Sequence, residues 1–267
     1  MKLSIAVSTP DAEFSALALK GSFEDNFSLV KDAGYDGVEL NVKNPAMVDR
    51  DEIVSLLDRY GLVCPAVGTG RAFGEEGLCF SSPDESNRKA AVQRIRSQVD
   101  FAGSLGAKVI IGLILGKNPV TAESEQWAVD CLAECGAYAD EKGVDMVLEP
   151  INRYETSFII NVDTCLRFLD SVGHESCKVL LDTFHMNIEE PSIIDSIKKA
   201  GKRIGHVHVA DSNRWYPGAG HTDFKSIVAA LRDAGYDGFL SAEILPQPDP
   251  ETAARETVKY LRPVIED

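Results

Sequence analysis

Glu149, Asp182, His208 and Glu243 are the residues of this sequence whose types and placement offer chemistry. Glu149 closes an apolar run in Val-Leu-Glu-Pro and Asp182 closes another in Leu-Leu-Asp-Thr, while His208 and Glu243 each stand late in a run of their own. One acidic residue after one apolar run is ordinarily a solvated helix cap; the same placement repeated in successive runs points to a shared site. Three carboxylates and an imidazole are a hard, oxygen-rich donor set, suited to Mn²⁺, Mg²⁺ or Co²⁺ rather than to a structural zinc held by thiolates. Carboxylates gathered at one rim also repel one another unless a cation sits among them. His206 lies two residues before His208, so on a strand both point to one side while Val207 and Val209 point to the other. Only one of the pair need bind metal, and His206 is read as supporting or core. Asp211, just beyond, is expected to orient one of the two.

These residues act together only if strands carry their ends to one rim. Short apolar runs alternate with longer amphipathic stretches from one end of the chain to the other, the signature of βα units around a parallel sheet. The strand-length runs are 2–8, 37–41, 62–68, 108–114, 144–149, 177–182, 204–210 and 238–244, and eight is the number that closes a barrel. The expectation is therefore an α/β fold, a (β/α)8 TIM barrel in a single domain over residues 1–267. In such a barrel catalytic side chains gather at the carboxyl ends of the strands, where the candidate residues lie. Ser82-Pro83-Asp84-Glu85 reads as N-cap, first-turn proline and capping-box glutamate of a helix reaching about Leu105. Residues 121–142 form another helix that Gly143 ends, and Asp249-Pro250-Glu251 starts the last. Ala-Gly-Tyr-Asp-Gly occurs at 33–37 and again at 234–238, which is read as one helix-to-strand turn used near both ends of the barrel. An open doubly wound sheet would carry a glycine-rich phosphate turn after its first strand, but Val7-Ser8-Thr9-Pro10-Asp11 contains no G-x-G-x-x-G. Gly68-Thr69-Gly70 is read as a flexible loop.

Composition narrows the partners. The chain has 267 residues, with 27 Lys plus Arg against 42 Asp plus Glu, a formal charge of −15. Gripping a phosphate backbone needs a clustered basic face, so nucleic acid is excluded as a partner. No run reaches the 18 or so apolar residues of a membrane span, and the amino-terminal run is too short for a signal-peptide core. A cytoplasmic protein with no membrane partner is the expectation. The 6 cysteines include no C-x-x-C pair, and Cys131 and Cys135, one helical turn apart, are read as small apolar helix residues. Arg71 and Lys117 are read as solvated loop charges, although either would reach a phosphate if the substrate carried one. Trp215, Tyr216 and Pro217 are read as an apolar wall beside the site.

Three longer motifs carry a family resemblance: Glu149-Pro-Ile-Asn-Arg-Tyr-Glu155-Thr, Leu181-Asp182-Thr-Phe-His185-Met-Asn-Ile-Glu-Glu and His206-Val-His208-Val-Ala-Asp-Ser-Asn-Arg214. In order and spacing the chain resembles the D-tagatose 3-epimerase/D-allulose 3-epimerase family, within the xylose isomerase-like barrels. The resemblance implies a divalent metal, Mn²⁺ first with Co²⁺ or Mg²⁺ as alternatives, held by Glu149, Asp182, His208 and Glu243. It implies Glu149 and Glu243 as the acid and base, and Glu155, His185 and Arg214 as the groups that hold the sugar near its carbonyl. Epimerisation at carbon 3 removes the proton beside a ketone and returns it on the other face, through an enediolate that a divalent cation would stabilise. It also implies a homo-oligomer, a dimer or tetramer. The aromatic and glycine residues that shape the sugar pocket of known members are not traceable in the first half of the chain. Within the same barrel group an isomerase moving the carbonyl between carbons 1 and 2, or an epimerase of sugar phosphates, would use a similar rim. Apurinic endonucleases share the barrel too, but draw zinc-binding histidines from early strands, and the first of the 5 histidines here is His174.

Overall fold

Every one of the strand-length runs contributes a strand, because each is a β-branched or aliphatic segment bounded by turn residues. The computed structural model describes residues 1–117 and 120–267. Its strands are β1 (Lys2–Ser8), β2 (Gly37–Asn41), β3 (Ala66–Gly68), β4 (Lys108–Ile111), β5 (Met146–Leu148), β6 (Cys177–Asp182), β7 (Ile204–Val209) and β8 (Phe239–Ala242). They pair in parallel in chain order, and β8 returns to β1 with Lys2 opposite Phe239 and Ile5 opposite Ala242, which closes the barrel. A two-residue strand, Leu19–Lys20, adds to the end of β1.

Some strands are shorter than their apolar runs for local reasons. Pro65 has no N–H to give the sheet, so β3 begins at Ala66 and Val63 makes only an isolated bridge to Gly37. β4 stops at Ile111, and Leu113–Leu115 turns into a short 3₁₀ segment. β8 ends at Ala242, which leaves Glu243 one residue beyond the sheet.

Alternation along each strand decides what faces inward. Leu3, Ile5 and Val7 of β1, Val38 and Leu40 of β2, and Val207 and Val209 of β7 pack outward in the main core beneath the helices. Their neighbours Glu39, His206 and His208 are left inside the barrel, where Ala66, Ile110, Val147 and Leu180 form a smaller apolar plug. Each buried aliphatic side chain in the outer layer contributes about 1.5–3 kcal/mol. That layer therefore holds the barrel closed while its interior carries polar groups.

The helices that matter for the site are α1 (Phe23–Ala33), α2 (Arg50–Tyr60), α3 (Gly70–Glu76), α4 (Glu85–Leu105), α5 (Ala122–Lys142), α6 (Val162–Val172) and α7 (Thr183–Glu189). The N-cap of α4 is Asp84, whose carboxylate accepts from Ser86 N at 2.8 Å; Ser82, the expected cap, instead accepts from Asp84 N. Asp84 takes the position because its side chain, two residues later, reaches the free N–H groups of the first turn. Gly143 ends α5 as the sequence predicts, Thr121 lies just outside that helix as its N-cap, and Asp249 caps the last helix, Pro250–Glu266. Both Ala-Gly-Tyr-Asp-Gly turns use their first glycine in the left-handed region, with φ of 92° at Gly34 and 80° at Gly235. Cys131 and Cys135 are buried thiols on α5, and burial pushes Cys131 up to about 11. Among the described residues no helix is long and apolar enough to cross a membrane.

Candidate active site

The four ligand-bearing residues come together at the carboxyl rim, each placed by its strand end. Glu149 follows β5 directly, and its backbone N–H donates to Ile111 of β4 at 2.9 Å. Asp182 is both the last residue of β6 and the N-cap of α7. Its Oδ1 accepts from Phe184 N at 2.7 Å, which leaves Oδ2 to face the site. His208 stands opposite Asp182 in the β6–β7 register and opposite Ser241 of β8. His208 Nδ1 lies 3.6 Å from Glu149 Oε1 and 3.9 Å from Asp182 Oδ2. One ligand atom from each of Glu149, Asp182, His208 and Glu243 lies within 4.8 Å of all the others.

These residues fit a cation. Glu149 Oε1, Asp182 Oδ2 and His208 Nδ1 are buried and have no hydrogen-bond partner. A buried polar atom left unpaired costs about 1–3 kcal/mol, so three that converge mark a place built for a guest. Two oxygen ligands of one divalent ion, each about 2.0–2.6 Å from it, stand no more than about 5 Å apart, as these do. The set is oxygen-rich with one imidazole, the chemistry of Mn²⁺, Co²⁺ or Mg²⁺.

Charge is unevenly shared. Burial pushes the Glu243 carboxyl up to about 8, with Glu149 and Asp182 adding to the rise against the pull of His208 and Arg214. Burial also pushes Asp182 up, but His185, Arg214 and His208 outweigh it and hold its carboxyl below the usual value. For His208 burial works downward and is overcome by Glu39, Glu149 and Glu243, which lift it well above the ordinary histidine value.

A polar chain lines one side. Arg214 Nη2 donates to Glu243 Oε2 at 2.9 Å and Nη1 to Glu155 Oε1 at 3.1 Å. Asn152 Nδ2 reaches Glu155 Oε1 at 3.1 Å and His185 Nδ1 at 2.8 Å. An amide N–H donating to His185 Nδ1 leaves the proton of a neutral ring on Nε2, which lies 3.8 Å from both Glu149 Oε1 and Asp182 Oδ2. Arg214 adopts φ 62°, a left-handed conformation that costs a side-chain-bearing residue about 1–3 kcal/mol. Its guanidinium is packed 4.7 Å from the Phe184 ring centroid and 5.2 Å from that of Phe14. Strain and packing together hold the fork rigidly toward the two glutamates.

The rim opens on a cavity of about 370 Å³, within the range of small-molecule sites. Its far wall, from the first half of the chain, includes Phe14, Asn41, Thr69, Arg71 and Glu75. Arg71 is not a solvated loop charge. It lies on α3, is 5% exposed, and donates to Glu75, Asp11, Thr9 and Ser8. Gly68-Thr69-Gly70 is no flexible loop either: Gly68 ends β3, Gly70 begins α3, and buried Thr69 donates to Ile110 O at 2.6 Å. Lys117 is exposed, its ammonium 5.7 Å from the Phe73 ring centroid.

Two other expectations change. Asp211 touches neither histidine; its carboxylate accepts from the backbone N–H groups of Ser212, Gly218 and Thr222 and so ties down the loop that carries Arg214. Trp215, Tyr216 and Pro217 are not among the residues that line the cavity, and the aromatic surface around Arg214 comes from Phe14 and Phe184. The histidines are held instead by Glu39, in the middle of β2, which meets His206 Nε2 at 2.8 Å and His208 Nε2 at 3.0 Å. The signal for Glu39 was a carboxylate in an otherwise apolar strand, Val38-Glu39-Leu40, with both neighbours facing outward. Asn152 lay inside a quoted motif, but nothing in its spacing sets it apart.

Comparison with known proteins adds the following. A sequence model described as "Xylose isomerase-like TIM barrel" matches residues 27–264. An L-ribulose 3-epimerase of Methylomonas sp. (strain DH-1) is 36% identical over 220 residues, covering 79% of this chain and 74% of its own. An L-ribulose 3-epimerase of Mesorhizobium japonicum is 30% identical over 236 residues, covering 86% and 78%. A crystal structure of a D-allulose 3-epimerase from Methylomonas sp. in complex with D-allulose is similar at a TM-score of 0.83 and 26% identity, over 98% of this chain and 97% of that one.

Proposed function

Because the chain belongs to the xylose isomerase-like TIM barrel family, we propose that it is a divalent-metal-dependent ketose 3-epimerase acting on an unphosphorylated sugar. It is an enzyme of the isomerase class, as its relatives are. The observation that carries the finer reading is the pair Glu149 and Glu243, two carboxyl groups from different strand ends facing one cavity beside three unpartnered buried ligand atoms.

Glu149, Asp182, His208 and Glu243 would hold the cation, Mn²⁺ first with Co²⁺ or Mg²⁺ as alternatives. When bound, it supplies Lewis acidity toward the negative charge that develops on the sugar oxygens. The chain's own residues do the rest. Glu149, which lines the cavity, takes the proton from carbon 3. The electron pair left behind spreads onto the carbonyl oxygen at carbon 2. Glu243, kept protonated by burial, returns a proton to carbon 3 on the opposite face, and the carbonyl forms again. The sugar loses one proton and gains one; before the next forward turnover Glu149 gives its proton to solvent and Glu243 takes one back, and in the reverse direction the two exchange roles. Arg214 and His185 Nε2–H direct donors toward the sugar oxygens, and Glu155 with Asn152 locks both in place.

The far wall supports an unphosphorylated substrate. All the guanidinium nitrogens of Arg71 already donate to protein oxygens, and two of its partners, Asp11 and Glu75, are carboxylates that a phosphate would have to displace. The test is to incubate Mn²⁺-loaded protein with D-allulose, D-fructose, L-ribulose and the phosphates of these ketoses. Chromatography is expected to show the carbon-3 epimer from at least one free ketose and no conversion of the phosphates. Aldose products would assign carbon-1 to carbon-2 isomerisation instead.

A further inference from the structure

Glu39, midway along β2, borders the cavity but is 2% exposed, and it meets His208 at Nε2, the ring nitrogen opposite the one that faces Glu149. Its Oε2 meets His206 Nε2 at 2.8 Å, and both oxygens meet His208 Nε2, at 3.0 and 3.1 Å. The two rings stand edge to face, with centroids 5.4 Å apart at 80°. A buried carboxylate accepts but cannot donate, and without donors it is strongly destabilised. The protons in this cluster must therefore lie on the two Nε2 atoms. For His208 that places Nδ1, the atom with no partner in the protein, toward Glu149 Oε1 and Asp182 Oδ2.

We propose that Glu39 is a positioning residue for the metal centre: it grips the Nε2–H of His208, with His206 as its second donor, so that the Nδ1 lone pair of His208 enters the site at a fixed angle. Both oxygens of Glu39 are occupied by the histidine Nε2 atoms, so it acts through His208 and not as a ligand itself. It acts by removing the freedom of His208 to turn or to carry its proton on the other nitrogen, an arrangement whose loss in metal proteins weakens binding about 10–100-fold. Asp182 and Glu149 have other anchors, the first turn of α7 and the backbone of β4, whereas His208 finds its anchor in Glu39.

The inference rests on reading Glu149, Asp182, His208 and Glu243 as the metal ligands, and its test separates the two. Mn²⁺ is titrated calorimetrically into the metal-free full-length chain, as wild type and as Glu39→Gln. Wild-type binding with a dissociation constant about 10–100-fold weaker in Glu39→Gln is expected. Wild-type protein that takes up no Mn²⁺ would break the metal reading itself; equal affinities in the two proteins would overturn only the role of Glu39. A purely structural Glu39 would lower the melting temperature of the metal-free and loaded forms alike without moving the affinity. A second measurement needs no variant: the imidazole ¹⁵N spectrum of metal-free wild type is expected to place a proton on Nε2 of His208. A bare Nε2 with the proton on Nδ1 alone would overturn the proposal whether or not the variant folds.

Discussion

Two clusters that line the cavity, one from each half of the chain, are built on opposite rules. On the wall from the first half of the chain, Arg71 spends its donors on Ser8, Thr9, Asp11 and Glu75, and Lys43 pairs with Glu75 at 3.0 Å. On the rim from the second half, Glu149 Oε1, Asp182 Oδ2 and His208 Nδ1 are buried with nothing to bond. A satisfied network is rigid and shapes a cavity; an unsatisfied one waits for a ligand. In the proposed function the unpaired cluster carries the chemistry and the paired one the fit.

The contrast breaks first at the glutamates. Glu149→Gln and Glu243→Gln each keep the side-chain volume and remove a proton carrier, so kcat is expected to fall by about 10²–10⁴-fold with circular dichroism unchanged. A fall of only a few-fold in both would mean that the rim is not where the proton moves. Metal removal comes next. At a free Mn²⁺ concentration 100 times its dissociation constant, binding stabilises the fold by about 2.7 kcal/mol. Chelator treatment should therefore lower the melting temperature of the wild type and leave that of Asp182→Asn, which loses a ligand, nearly unmoved. If both proteins respond alike, the cation binds elsewhere.

The wall predicts smaller effects of another kind. Glu75→Gln removes one of the charged partners of Arg71 and is expected to cost about 1–3 kcal/mol in denaturant unfolding. Because the wall shapes the cavity and leaves the proton on the other side, kcat on a free ketose should fall far less than in the glutamate variants of the rim. An effect on kcat as large as theirs would erase the distinction between the halves.

The smallest effect is a matter of pH. Burial raises the folded pKa of Glu243 to about 8, above an unfolded value near 4.3. Between those values the folded chain binds more protons than the unfolded one, so this group's contribution to metal-free stability falls as pH rises. The proposed cycle needs that proton on Glu243 with the cation in place, so kcat/KM on a free ketose should fall as pH rises past the pKa of this group, by at most about tenfold per pH unit. A pH profile of the Mn²⁺-loaded protein reads this directly; a rate that stays level from about pH 6 to 9 would mean that Glu243 gives no proton to carbon 3.

The sequence made the barrel and its charged rim legible because both are periodic. Apolar runs repeat at the spacing of βα units, and Glu149, Asp182 and His208 interrupt or close them. Glu39 breaks its strand in the same way, yet its partners lie 167 and 169 residues away, and no local pattern shows that two inward-facing histidines will meet it. Arg71 looked like loop because α3 is only 7 residues long and opens on a glycine. Its burial depends on Asp11, 60 residues earlier in the chain, meeting the guanidinium beside Glu75 of the same helix. Asp211 was assigned to the wrong partners for the converse reason. Nearness in sequence to His208 suggested contact, but the strand carries the two apart, and the carboxylate turns back onto its own loop.

The central claim is that Glu149 and Glu243 exchange the proton on carbon 3 of a ketose. It is tested most directly by incubating Mn²⁺-loaded protein with D-allulose in deuterium oxide and following each ring position by NMR. The account predicts deuterium at carbon 3 of substrate and epimer together, abolished in Glu149→Gln and Glu243→Gln. Deuterium at carbon 1 alone, or epimer formed with no deuterium at carbon 3, would contradict it.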